Sequence, residues 1–215
     1  MCERKLSSLE LTRACLDRIA KLDSQLNAFI TVTEELASQQ ASQADAEISS
    51  GHWRGPLHGI PVALKDLIDV AGVKTTAGSH QFRDRIATED AAIVKQLRAA
   101  GAVIVGKNNL HEFAFGGSGM ISAFGPTRNP WDITRISGGS SSGSAAAVAS
   151  AMCLAALGTD TAGSVRDPAA LCGLIGFRPS AGVRSIDGVV PLRKSFDTVG
   201  LLTRTAEDEI GRAHV

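Results

Sequence analysis

Tyrosine is absent from this 215-residue chain and all aromatics together make up 4%, so the stacking platforms on which single-stranded nucleic acids lie are missing. An excess of either charge is missing too. Lys plus Arg equals Asp plus Glu at 22 each, which leaves no net field to draw in a polyanion. No nucleic-acid partner is expected. The four cysteines, Cys2, Cys15, Cys153 and Cys172, contain no Cys-x-x-Cys pair, and a chain of this length needs no disulfide staples. Reduced thiols in a cytoplasmic protein are the expectation, with no metal and no cofactor. Long apolar runs are lacking as well. The longest weakly polar stretch, 144–158, is short and alanine-rich, and reads as a buried helix leading into a strand rather than a membrane span. Glu3, Glu10, Asp17 and Asp23 interrupt the N-terminal region, which does not read as a signal peptide.

What is present suits a folded core. Hydrophobic residues make up 44%, enough for one substantial domain, and no repeat or low-complexity linker divides positions 1–208. Ser7 with Glu10 forms a capping box ahead of a helix carrying Leu9, Leu11, Cys15, Ile19 and Leu22. A polar surface helix is expected from about Glu34 to Ile48. A short strand follows at Val62-Ala-Leu64, then a helix from about Glu89 to Ala100 capped by Thr88 and stopped by Gly101, then a buried strand at Ala102-Val-Ile-Val105. Strand, helix and strand in alternation predict an α/β fold with a mixed, largely parallel central sheet flanked by helices. Residues 203–208 open another helix, and Glu209-Ile-Gly-Arg-Ala-His-Val215 breaks it. That segment, 209–215, reads as a non-native tail such as a translated sequencing adapter, or else as an ordinary variable terminus.

Two motif matches fail on context. Gly101-Ala-Val-Ile-Val-Gly-Lys107 has phosphate-loop spacing, but its middle residues form a strand and Asn108 replaces the hydroxyl that would hold magnesium. Gly139-Ser-Ser-Ser-Gly143 resembles a nucleophile elbow, but no strand runs directly into it. Two serine turns remain, Ile136–Ser144 and Gly158–Pro168, on either side of an alanine-rich segment. Each sets hydroxyls beside backbone N–H groups, as a nucleophile and its oxyanion pocket require. The serine run is alternatively a flexible linker. A serine needs a base, and none of the five histidines stands in a pattern with these turns. Lys65 ends an apolar strand, where desolvation would lower its pKa. It is either that base or a strand-end lysine paired with Asp66 or Asp69.

Gly59-Ile-Pro-Val-Ala-Leu-Lys-Asp66, Gly138-Gly-Ser-Ser-Ser-Gly-Ser-Ala-Ala-Ala147 and Gly158-Thr-Asp-Thr-Ala-Gly-Ser-Val-Arg166 resemble the amidase signature family. So do Ala123-Phe-Gly-Pro-Thr-Arg-Asn-Pro-Trp131, Cys172-Gly-Leu-Ile-Gly-Phe-Arg-Pro179 and Asp197-Thr-Val-Gly-Leu-Leu-Thr-Arg204. The resemblance implies a Ser–cis-Ser–Lys triad: Lys65 as base, Ser140 as bridging serine and Ser164 as nucleophile. It implies backbone N–H groups at Thr161, Ala162, Gly163 and Ser164 for the oxyanion. Ser141, Asp160 and Arg166 take supporting places, and Gly116, Gly117 and Ser118 lie on a loop bordering the substrate. The expected partner is a small-molecule amide, with a homodimer as the assembly.

Three departures stand out. Ser142 occupies a usual glycine position, and Ala162 replaces the first glycine before the serine, which strains the turn if φ there is positive. Asp167 brings a charge to a slot often apolar; it either tilts the site toward cationic or polar substrates or is simply solvated. Family members also run substantially further, so these residues alone are expected to have little or no amidase activity. Two other readings stay open. One is the glutaminase component of a tRNA-dependent amidotransferase with companion subunits, against which Ser118-Gly-Met-Ile121 replaces the usual Ser-Thr-Glu. The other is an inactive scaffold or binding fragment of the same fold.

Overall fold

The structure, a computed structural model, describes residues 6–208; the suspected tail at 209–215 and Cys2 lie outside the described residues. In chain order the elements are α1 (Ser8–Leu26), β1 (Phe29–Val32), α2 (Glu34–Ser49), β2 (Pro61–Lys65), α3 (Ala92–Ala99), β3 (Val103–Asn108) and β4 (Arg128–Asn129). There follow β5 (Asp132–Ile136), α4 (Ser142–Ala149), β6 (Ala155–Asp160), α5 (Arg166–Leu171), β7 (Ile175–Phe177) and β8 (Thr198–Thr203). One sheet has the order β1-β3-β2-β6-β8-β7, and β4 with β5 makes a separate hairpin. β3, β2 and β6 run parallel through the centre, while the β1–β3, β6–β8 and β7–β8 pairings are antiparallel. This is the α/β architecture expected, with a mixed sheet flanked by helices.

Local signals explain most boundaries. Ser7 Oγ accepts the Glu10 N–H at 3.0 Å and the Glu10 carboxylate accepts the Ser7 N–H at 2.9 Å, which closes the capping box of α1. α2 buries only Ala37, Ala41 and Ala44, as a surface helix does. α3 differs from expectation: it begins at Ala92, and Thr88 does not cap it. Asp90 Oδ1 instead accepts the Ala71 N–H at 2.8 Å and the Ala91 N–H goes to the Asp69 carbonyl, so this stretch is tied to the loop after β2. Gly101, at φ +76, ends the helix.

Two apolar layers sandwich the sheet. Alternation along β2 sends Val62 and Leu64 toward α3, where they join Ile93, Val94, Leu97 and Ile104. Ala63 faces the other layer with Val103, Val105 and the alanines of α4. From Ser142 to Val148 every residue of α4 is buried, which small side chains allow. A Cβ on Gly143 would stand 2.3 Å from the Ala28 carbonyl oxygen, so only glycine lets the helix seat there. Among the described residues no helix is long and apolar enough to cross a membrane. The parallel strands β2, β3 and β6 end at Lys65, Asn108 and Asp160. Carboxyl ends of parallel strands are where open α/β sheets place ligands.

Candidate active site

Lys65 is fully buried at the end of β2. Its Nζ lies 2.7 Å from Ser140 Oγ and 2.9 Å from Thr159 Oγ1. Neither nearby acid in sequence pairs with it. Asp66 takes Lys107 at 2.7 Å and Asp69 takes Arg85 at 2.6 Å, so the alternative of a strand-end ion pair on Lys65 is excluded. The residue that made the phosphate-loop spacing, Lys107, is thus a buried strand lysine that also reaches Thr75 Oγ1 at 2.9 Å. Burial without a bonded carboxylate brings the Lys65 amine down from 10.5 to about 7, against the opposing pull of Asp160 and Asp197. At neutral pH a large share of Lys65 carries a free lone pair.

The first serine turn is buried and hydrogen-bonded, so the linker reading of it does not hold. The Gly139–Ser140 peptide is cis, and Ser140 and Ser141 are both fully buried. The Ser140 carbonyl accepts the His111 N–H at 3.1 Å, and Ser141 Oγ donates to the Thr159 carbonyl at 3.3 Å. The Ser141 N–H donates to the Ser164 carbonyl at 3.1 Å, clamping the residue after Ser140 to Ser164 itself. Ser142 is accommodated: its hydroxyl bonds Thr127 Oγ1 at 3.2 Å, and its Cβ occupies the space a side chain at Gly119 would need.

Asp160, at the end of β6, organises the second turn. Its carboxylate accepts N–H groups from Gly163 at 2.9 Å and Val165 at 3.1 Å, and both Nε and a terminal nitrogen of Arg166 at 3.0 Å. Arg178 approaches at 3.3 Å. Burial pushes the Asp160 carboxyl up, but the Arg166 and backbone bonds outweigh it and hold the group below its usual range. The Gly163 N–H is spent on Asp160, whereas those of Thr161, Ala162 and Ser164 have no acceptor among the described residues. Ala162 is not among the residues with positive φ, so its Cβ adds no backbone strain. Thr161 is anchored from behind, its hydroxyl donating to Asp197, whose other oxygen accepts the Leu192 and Arg193 N–H groups at 2.9 Å.

The glycine loop lies against the first turn. A Cβ on Gly139 would meet Gly116 O at 2.7 Å and the carbonyl carbon of Gly117 at 3.1 Å. Gly116 in turn rests on the ring of His111. Ser118 Oγ accepts the Met120 N–H at 3.3 Å within the same loop. Sequence reasoning assigned no place to Thr159, Asp197 or His111. Thr159 and Asp197 lay inside motifs already quoted, but their contacts depend on strand register, such as the pairing of Leu64 with Leu157 that aligns the ends of β2 and β6.

The site thus joins a buried lysine to a cis-serine turn, and that turn to a second one, at the carboxyl ends of the parallel strands of a mixed α/β sheet. Comparison with known proteins gives the family. A family model described as Amidase matches residues 10–211, and the chain belongs to that family. The glutamyl-tRNA(Gln) amidotransferase A-chain component of Methylobacillus flagellatus is 49% identical over 208 residues, which cover 97% of this chain and 42% of that protein. The solved peptide amidase of Stenotrophomonas maltophilia gives a TM-score of 0.93 at 44% identity, covering 97% of this chain and 44% of that one. The corresponding glutamyl-tRNA(Gln) amidotransferase component of Thermotoga maritima gives a TM-score of 0.80 at 42% identity, covering 96% of this chain and 45% of that one. The chain therefore spans less than half the length of each of these proteins.

Proposed function

We propose that this chain carries the nucleophile-bearing part of an amidase that hydrolyses a carboxamide C–N bond through an acyl-enzyme on Ser164. The observation behind this reading is the contact of a buried, carboxylate-free Lys65 with Ser140 Oγ at 2.7 Å. In the neutral amine the Nζ lone pair accepts the Ser140 proton while an N–H of the same nitrogen donates to Thr159. Ser140 then accepts the proton of Ser164, whose Oγ attacks the amide carbon. The N–H groups of Thr161, Ala162 and Ser164 receive the negative charge on the carbonyl oxygen. The proton returns through Ser140 to the leaving nitrogen, the C–N bond breaks, and ammonia or an amine departs. Water next cleaves the ester by the same proton path, restoring Ser164. Asp160, Arg166 and Ser141 position these groups without touching the reacting atoms. Gly116, Gly117 and Ser118 border the substrate.

The identity to the glutamyl-tRNA(Gln) amidotransferase components supports a second reading, glutamine hydrolysis in an assembly with companion subunits. The likeness to the peptide amidase supports the first reading, a hydrolase of a carboxamide. A fluorophosphonate probe tests the shared chemistry on the full-length gene product that carries these residues. Intact-mass and peptide spectra are expected to place the adduct on Ser164, with none in Ser164→Ala and a slow reaction in Lys65→Met. A folded product that takes up no label overturns the proposal. Ammonia release from glutamine only when companion subunits are added would favour the second reading.

A further inference from the structure

Most of the charge around the nucleophile turn is compensated. Asp160 is bound by Arg166 and Arg178, and Asp197 by two backbone N–H groups and the Thr161 hydroxyl. Lys65 is drawn toward neutrality by burial. Asp167 is the exception. It is exposed, and no cation lies in ion-pair range of it among the described residues. Arg166, its chain neighbour, feels its charge through space, but that guanidinium is hydrogen-bonded to Asp160.

The Asp167 carboxylate nonetheless lies against the turn. The backbone N–H of Asp167 donates to the Gly163 carbonyl at 2.7 Å, and its two carboxylate oxygens stand 2.7 and 3.0 Å from where a Cβ on Gly163 would be. Gly163 is flanked by Ala162 and Ser164, two of the residues whose N–H groups are free to hold the oxyanion. A negative charge so placed opposes the negative charge that develops on a substrate carbonyl, unless the substrate brings a cation to meet it.

We infer that Asp167 is a specificity-determining residue that selects amides bearing a positive charge close to the scissile carbonyl and rejects those bearing a carboxylate there. The inference rests on the reading of Ser164 as nucleophile. It also weighs against glutamine-like substrates wherever their carboxylate would face Asp167.

The test uses three fluorophosphonates on the full-length gene product, differing only in their terminal group: trimethylammonium, its neutral isostere tert-butyl, or carboxylate. In each, Ser164 Oγ forms the P–O bond, fluoride leaves, and the serine proton passes to the lysine. The cationic probe is expected to label Ser164 about tenfold faster than the neutral one, equivalent to about 1.4 kcal/mol, and the anionic probe more slowly still. Added salt narrows the spread. Asp167→Asn brings the cationic-to-neutral ratio close to one, and Asp167→Lys inverts the order of the two charged probes. Equal rates for all three in the wild type, or an order that neither substitution alters, overturn the inference while leaving the nucleophile intact. No labelling by any probe removes the Ser164 reading, and this inference with it.

Discussion

A lysine that the fold holds near neutrality leaves a mark on stability that can be read without any substrate. Lys65 titrates at about 7 in the folded protein against 10.5 as its ordinary value. Below pH 7 both states carry the proton, and the folded state bears the full penalty of a buried ammonium. Between the two values the unfolded chain binds a proton that the folded chain does not, so stability rises with pH, by about 1.4 kcal/mol per unit. Above 10.5 the effect is complete, at about 5 kcal/mol. Lys65→Met removes this titration and nothing else that ionises. It also leaves the Ser140 and Thr159 hydroxyls without their amine partner, a constant cost of about 1–2 kcal/mol that does not vary with pH. Paired urea denaturations of wild type and Lys65→Met give the difference directly, because groups common to both cancel. From pH 6 to pH 9.5 the wild type is expected to gain about 3 kcal/mol on the variant. Parallel curves, agreeing within about 0.5 kcal/mol over that range, would mean that Lys65 keeps an ordinary pKa when folded. The general-base role would then be wrong.

Two further outcomes follow from contacts that the sequence did not reveal. Thr159→Val keeps the shape of the side chain but removes the hydroxyl 2.9 Å from Lys65 Nζ; the rate of Ser164 labelling should fall about tenfold, the worth of one hydrogen bond, and an unchanged rate would show that Ser140 alone orients the amine. Gly116→Ala drives a methyl to within 2.4 Å of the His111 ring and should lower stability by about 1–3 kcal/mol in thermal or urea unfolding. Adding His111→Ala should return part of that loss, and strictly additive losses would contradict the packing described.

Where the chemistry is local, the sequence carries it plainly. The capping box of α1 involves residues three apart, and the stop of α3 needs only Gly101, so both could be read directly. The start of α3 could not, because its N-terminal boundary is decided by Asp69 and Ala71 in a different loop. The site divides along the same line. Ser140, Ser164 and Lys65 stand in recognisable stretches, whereas the choice between a free base and an ion-paired lysine turned on Lys107 and Arg85, far along the chain from Asp66 and Asp69. The Gly163 N–H was assigned to the oxyanion from its place in the motif. That a carboxylate at the end of β6 claims it is a matter of three-dimensional direction, which spacing does not encode.

The three buried thiols among the described residues have a practical consequence. Cys15 lies on α1, Cys153 just after α4 and Cys172 just after α5; all three are buried, the last two in the apolar layer that holds the α4 alanines. Burial raises Cys15 to about 11 and Cys172 to about 12, and pushes Cys153 up as well. Alkylating reagents attack the thiolate, so in the native state these sulfurs are shielded by both access and protonation. Each becomes reactive only when its own element opens, and peptide mass spectra resolve the three. Timed alkylation therefore gives separate clocks for α1, for the α4–β6 junction and for the end of α5. Equal rates would mark one cooperative opening. A faster Cys172, whose Sγ rests 3.4 Å from the Ser137 carbonyl, would mark breathing confined to the wall of the serine turns.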